Sequence, residues 1–242
     1  MSDKIIFQNR GKKELFEYIK RNKNRHILNF LNQHDIYQFN NEKLFRRVIL
    51  RKENMNFIDG AVISAFLSFF NLKHITRVRG PEFARNFMID NKMWADKRHF
   101  FIGFNEADMD ILKKLYPHLK NIEYYNPPYI KNLSFSNSEV KKIADMINKY
   151  DSDIVWVGIG CPKQNILSDK LFDKTKTQYF FNVGAALDFL IGKKKEAPAF
   201  ARAIGMEWLF RLITDFRYTK TKVMRSFVAL FYLGRSVKLA EN

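Results

Sequence analysis

Two stretches of this sequence place polar side chains where chemistry at a phosphate or a sugar could occur. In Asp153–Asn165, DIVWVGIGCPKQN, a brief apolar run at 154–157 meets Gly158, Gly160 and Pro162 in quick succession, and Lys163 and Gln164 follow. Glycines there would let backbone N–H groups approach a phosphate, with the start of a helix facing it. An ordinary strand-to-helix turn with a surface Lys and Gln fits the same pattern. The second stretch is Asp59-Gly60, an acid after the apolar run at 55–58. Such a carboxylate is placed to act as a general base in a cleft, or to cap the helix that follows.

Other reactive groups lack partners in the sequence. Cys161 is the single cysteine, so no internal disulfide or thiolate cluster can form, and no histidine is tied to it by spacing. His26, His34, His74, His99 and His118 show no ligand spacing. Asp108-Met-Asp110 puts its two carboxylates on different sides of a helix and reads as a solvated face.

The elements that must position these residues alternate. Short apolar runs at 26–31, 55–58, 99–102, 122–125, 154–157 and 179–183 predict five or six strands. Helical spacing appears at 10–25, 41–50, 61–70, 105–116 and 138–150, and after Pro81 and Pro162. This alternation predicts an α/β fold: a Rossmann-like open, mostly parallel sheet with helices on both faces. In such sheets ligands sit at the carboxyl ends of strands. The α/β core is expected over 1–198. No strand signal follows Pro198, and 199–242 reads as a helical appendage with eight basic and three acidic side chains.

With 242 residues and 46% hydrophobic content the chain can bury a full core. No apolar run approaches the roughly 20 residues of a membrane span, and the first ten residues do not resemble a signal peptide, so a cytoplasmic protein is expected. The 42 Lys and Arg exceed 25 acids by 17. Such an excess points to an anionic partner: nucleic acid, a phosphorylated substrate or an acidic lipid surface. The aromatic, basic tail suits a membrane surface or a lid over a phosphate. No nucleic-acid-binding motif occurs, and the aromatics lie at core spacing.

DIVWVGIGCPKQN, NVGAALDFLIGKKKEAP and GMEWLFRLITDFR together resemble the signature series of the WecG/TagA/CpsF glycosyltransferases. IDG at 58–60, RVRGPE, FFIGFNEADMDILKKLYPHL and NPPY fall in the order expected of that family. The resemblance implies an inverting transfer of a sugar from a UDP-sugar to a polyprenyl-diphosphate-linked saccharide. The sugar would be N-acetylmannosamine, its uronic acid or a glucose type, destined for a cell-surface polysaccharide, antigen or teichoic acid. No cofactor or metal is implied. The place is the inner face of the membrane, where the protein would be peripheral, and a homo-oligomer is compatible.

By position, Asp59 resembles the family's general base. Gly158, Gly160, Pro162, Lys163 and Gln164 resemble its nucleotide-sugar loop, and Asn32, Arg77, Gly80, Gly184, Asp188 and Glu207 fall in its substrate-binding motifs. Arg211 and Arg217 match tail arginines expected to neutralise the diphosphate. Three positions depart from the pattern: Asn165 replaces the usual Glu, Phe30 a common Thr, and Phe216 a Pro. Two other classes stay open, a nucleotide-sugar-binding protein without catalysis and a basic nucleic-acid-binding module.

Overall fold

The six apolar runs form neighbouring strands of one sheet. The computed structural model describes residues 3–71, 75–89, 94–203, 207–214 and 216–240. In chain order the first elements are β1 (Ile5–Phe7), α1 (Lys12–Arg21), β2 (His26–Leu31), α2 (Gln33–Asn41), α3 (Lys43–Ile49), β3 (Asn54–Ile58), α4 (Ala61–Asn71) and α5 (Gly80–Ile89). Next come β4 (His99–Ile102), α6 (Glu106–Leu115), β5 (Ile122–Tyr125), α7 (Asn137–Tyr150), β6 (Ile154–Val157), α8 (Lys163–Phe172), β7 (Tyr179–Asn182) and α9 (Ala186–Leu190). The chain then runs through α10 (Ala199–Ala203), α11 (Glu207–Thr214), α12 (Phe216–Leu230) and α13 (Leu233–Ser236) into β8 (Val237–Leu239).

Eight parallel strands lie in the order β5-β4-β6-β7-β2-β3-β1-β8. β4, β6 and β7 are buried at every position, which is why they read as continuous apolar runs without alternation. One face packs Leu28, Phe57, Trp156 and Phe181 against α1, α5, α6 and α9. The other packs Ile27, Val155 and Phe180 against α7 and α8, and Leu31 and Ile58 against α2, α3 and α4. Both faces are covered, as the strand pattern requires.

The sheet is larger than the sequence predicts. β1 and β8 have three residues each and alternate buried and exposed positions, too little signal for a strand reading. They pair in register, Ile5 with Val237 and Phe7 with Leu239, so a strand does follow Pro198. The expected helix at 41–50 is α3, and a further helix not expected from the sequence, α2, ends just before it. Among the described residues no helix is long and apolar enough to cross a membrane.

Candidate active site

The glycine loop hangs from β6. A Cβ on Gly158 would lie 2.6 Å from Leu187 Cδ1, so only glycine lets this turn pack on α9. Gly160 and Gly184 have φ of +86° and +56°, a region that disfavours other residues. The two loops meet: a Cβ on Gly184 would sit 4.0 Å from Gly160 Cα and 3.5 Å from Gln164 Oε1. The Gln164 amide is 6% exposed, and its Oε1 has no hydrogen-bond partner. A buried acceptor left unmet costs about 1–3 kcal/mol, which makes this oxygen a candidate to accept from a bound group. α8 starts here with Pro162 at the N-cap, after a cis Cys161–Pro162 bond, and no side chain caps it. Its first turn adds the partial positive charge of a helix N-terminus.

Asp59 stands at the carboxyl end of β3, half-buried, its N–H donating 2.9 Å to the Leu31 carbonyl. Gly60, and not Asp59, occupies the position before the first residue of α4, and its carbonyl accepts from Ser64 N–H at 3.2 Å. A Cβ on Gly60 would meet Gln33 Oε1 at 2.5 Å.

Beside Asp59 lies a cluster of guanidiniums. Arg77 Nε donates to the Asp59 carbonyl, and its terminal nitrogen is 2.6 Å from Glu207 Oε1. Arg79 reaches Glu207 Oε2 at 3.1 Å and Glu196 at 4.0 Å, while Arg85 also bonds Glu196. Burial pushes the Glu207 carboxyl up, but Arg79 and Arg77 overcome it and hold the group below its ordinary value. Glu207 and Glu196 thus hold three guanidiniums together beside Asp59, and the buried Arg79 Nε makes no hydrogen bond. Guanidinium forks of this kind can bind a diphosphate. Arg79 and Glu196 were not among the residues that the sequence singled out. Gly80 opens α5 with its Cβ position 3.4 Å from Phe30, so the unusual Phe30 forms the floor under this turn.

Several expected residues are engaged elsewhere. Asn32 caps α2: its side chain accepts from His34 N–H at 2.9 Å, and its N–H donates to Asp35 at 2.8 Å. Lys163 Nζ donates to the Ile130 carbonyl and lies 4.8 Å from the Tyr129 ring centroid. Asp188 pairs with Lys194 at 2.7 Å. Asp108 corrects the solvated-face reading: it is 5% exposed, closes the cap of α6 with Asn105 and pairs with Lys193 at 3.1 Å, while Asp110 is exposed. Burial, then the neighbouring Asp35, push the Cys161 thiol well up, away from the thiolate a nucleophile needs. His74 and Asp215, and the side chains of Arg202, Trp208, Arg211, Phe216 and Arg217, lie outside the described residues. Among the described residues no three His, Cys, Asp or Glu side chains gather as a metal-holding set.

Fold and site define a class: a Rossmann-like α/β protein with a glycine-rich loop and an arginine cluster at the carboxyl ends of its strands. Within that class the chain belongs to the glycosyl transferase WecG/TagA/CpsF family, whose model matches residues 4–240. It is similar to a Bacillus spizizenii protein named N-acetylglucosaminyldiphosphoundecaprenol N-acetyl-beta-D-mannosaminyltransferase, 26% identical over 132 residues, 53% of this chain and 48% of the relative. A Staphylococcus aureus protein of the same name is 26% identical over 94 residues, 39% of this chain and 37% of that one. The matches thus span about half or less of these relatives' length.

Proposed function

We propose that the protein is an inverting glycosyltransferase moving a sugar from a UDP-sugar to a polyprenyl-diphosphate-linked saccharide during assembly of a cell-surface polysaccharide. Among the donors that the resemblance implies, the relatives' names favour N-acetylmannosamine over its uronic acid or a glucose type. The carrying observation is that Asp59 and Arg77 are joined at the end of β3, beside the ends of β2 and β7, where the first turn of α8 brings Gln164 against Gly184. Both groups lie at the carboxyl edge of the sheet, where open α/β folds hold their ligands.

In this reading Asp59 takes the proton from the acceptor hydroxyl as its oxygen bonds to the anomeric carbon. The bond from that carbon to the diphosphate breaks in the same displacement, and UDP leaves with the electron pair. Attack opposite the leaving group inverts the centre. Arg77 and Arg79 neutralise the departing diphosphate, a task that the family resemblance also gives to Arg211 and Arg217, so no metal is required. Glu207 serves as the counter-charge that sets the first two arginines.

The membrane is the proposed second partner. Phe69 and Phe70 of α4 are 74% and 65% exposed, and Met224 and Phe227 of α12, with Phe231 just after it, are 70%, 53% and 83% exposed. A Cβ on Gly234 would lie 4.0 Å from Phe66 Cζ, which ties α4 to the helices after it. Aromatics beside Lys220, Arg225 and Arg235 suit an anionic bilayer surface.

UDP release with a short-chain lipid diphosphate saccharide, run over a panel of UDP-sugars, tests the reading. Turnover of one donor, unaffected by chelator and reduced roughly 10²- to 10⁴-fold by Asp59→Asn with UDP affinity kept, is expected. UDP binding without turnover of any donor would make the protein a nucleotide-sugar binder. DNA binding without UDP affinity would move it to another class.

A further inference from the structure

A row of asparagines crosses the sheet one level beneath the site. Asn56 of β3, Asn29 of β2 and Asn182 of β7 stand at the same register across three neighbouring strands. They are 4%, 0% and 1% exposed, and all project toward α8. Asn29 is the hub. Its Nδ2 donates at 3.0 Å to both Asn54 Oδ1 and Asn56 Oδ1, and its Oδ1 accepts at 2.8 Å from Asn182 Nδ2 and from Asn165 Nδ2. Ser168, one turn along α8, donates 2.6 Å to Asn182 Oδ1.

This row fixes the orientation of every amide in it. Asn54 and Asn56 are set by donating to the Val48 and Ile6 carbonyls, so Asn29 cannot turn over without setting its oxygen against two other oxygens, and Asn182 must then donate to Asn29. Asn165 is then committed as a donor, and its own Oδ1 is buried without a partner. The strands joined by the row are those whose next residues are Asn32, Asp59 and Val183-Gly184, and Asn165 lies in the first turn of α8 beside Gln164.

We propose that Asn165 is a positioning residue: through Asn29 it pins the first turn of α8 onto β2 and β7 and thereby sets the Gln164 amide against the nucleotide. The inference rests on the functional reading above. It assigns a role to one of the three positions at which this sequence departs from the family pattern, a neutral side chain whose hydrogens are required where a carboxylate has none.

Calorimetric titration of UDP into the full chain, with thermal melts alongside, tests it. Asn165→Asp places a carboxylate against the Asn29 oxygen, and the first turn must lift. Affinity is expected to fall about tenfold or more near pH 8 and to recover near pH 5.5, because a buried carboxyl takes up a proton there and can donate to Asn29 again. Asn165→Ala should weaken UDP equally at both pH values. If Asn165→Asp does not fold near pH 8, the alanine variant decides alone by its raised Kd. An Asn165→Asp protein whose affinity tracks wild type at both pH values overturns the inference, as does alanine binding at wild-type strength. Wild-type protein without UDP affinity overturns the functional reading and the inference with it.

Discussion

One guanidinium connects Glu207 to the backbone of Asp59: Arg77 lies 2.6 Å from the Glu207 carboxylate and donates to the Asp59 carbonyl. The first residue of α11 is thereby tied to the carboxyl end of β3. Glu207→Gln keeps the volume and removes the charge that fixes Arg77 and Arg79. Turnover is expected to fall roughly 10- to 100-fold with little change in donor KM, because misplacing groups at the reacting end acts on kcat. Arg77→Lys should cost as much, and the double variant little more than either single one. Additive losses in that cycle would show that the two residues act separately.

Gln164 and Lys163 should separate in kinetics although they are neighbours. Gln164→Ala removes a buried amide whose acceptor has no protein partner, and donor KM is expected to rise with kcat nearly kept. Lys163→Ala frees the 129–130 loop from α8, since its ammonium is bonded to Ile130 and set over Tyr129. A smaller rise in KM is expected there. Steady-state rates against UDP-sugar concentration decide it, and a pure kcat loss in Gln164→Ala would place the amide on the leaving group.

Acid should destabilise the fold through its buried imidazoles. His99 accepts from Trp156 Nε1–H at 3.1 Å and donates to the Trp94 carbonyl at 3.0 Å, so both ring nitrogens are used in the neutral form. Burial holds its pKa down to about 4 from 6.5. Between those values the unfolded chain binds a proton that the folded chain refuses. Stability therefore falls as pH drops through this window, by about 3 kcal/mol for such a group, and the loss is complete below the folded value. His34 adds a similar loss, its pKa also brought to about 4 by burial and then by Lys222 and Arg225. Urea unfolding at several pH values should show the fall in wild type and a flatter profile in His99→Gln. Equal slopes would remove His99 from the account.

The aromatic face calls for point variants. Phe227→Ser with Phe231→Ser changes exposed positions and should reduce sedimentation with anionic vesicles while melting stays near wild type. Each nearby Lys or Arg contributes roughly 1 kcal/mol at such a surface, so high salt should deepen the loss. Sedimentation equal to wild type would point to another cover for these rings. Deleting the tail is a poorer test, because α12 packs on α2 and β8 completes the sheet.

The central strands were legible because burial on both faces leaves continuous apolar runs, and the glycines because turns demand them. β2 and β5 fall at their predicted bounds. α2 was not read because QHDIYQFNN is largely polar, and its buried side carries His34, Asp35 and Gln38. Its signal was the cap, Asn32 with Asp35 three residues on. Asn105 and Asp108 repeat the device on α6, where Asp108 reads in the sequence as a solvated face with Asp110. The asparagine row could not be read at all, since Asn29, Asn165 and Asn182 are far apart in sequence and meet only through strand register. Arg79 was visible beside Arg77, but only the fold shows that both serve one carboxylate.

The pairing of β1 with β8 also sets an order of assembly. Residues 5–7 leave the ribosome early, yet their outer edge finds its partner only when residues 237–239 emerge. At about 5–20 residues per second that is a wait of roughly 10–50 seconds, during which a strand edge stays open to other chains. Ile6, 51% exposed even in the finished sheet, sits in the middle of that edge. Nascent chains halted before residue 237 should therefore be the ones that need a chaperone.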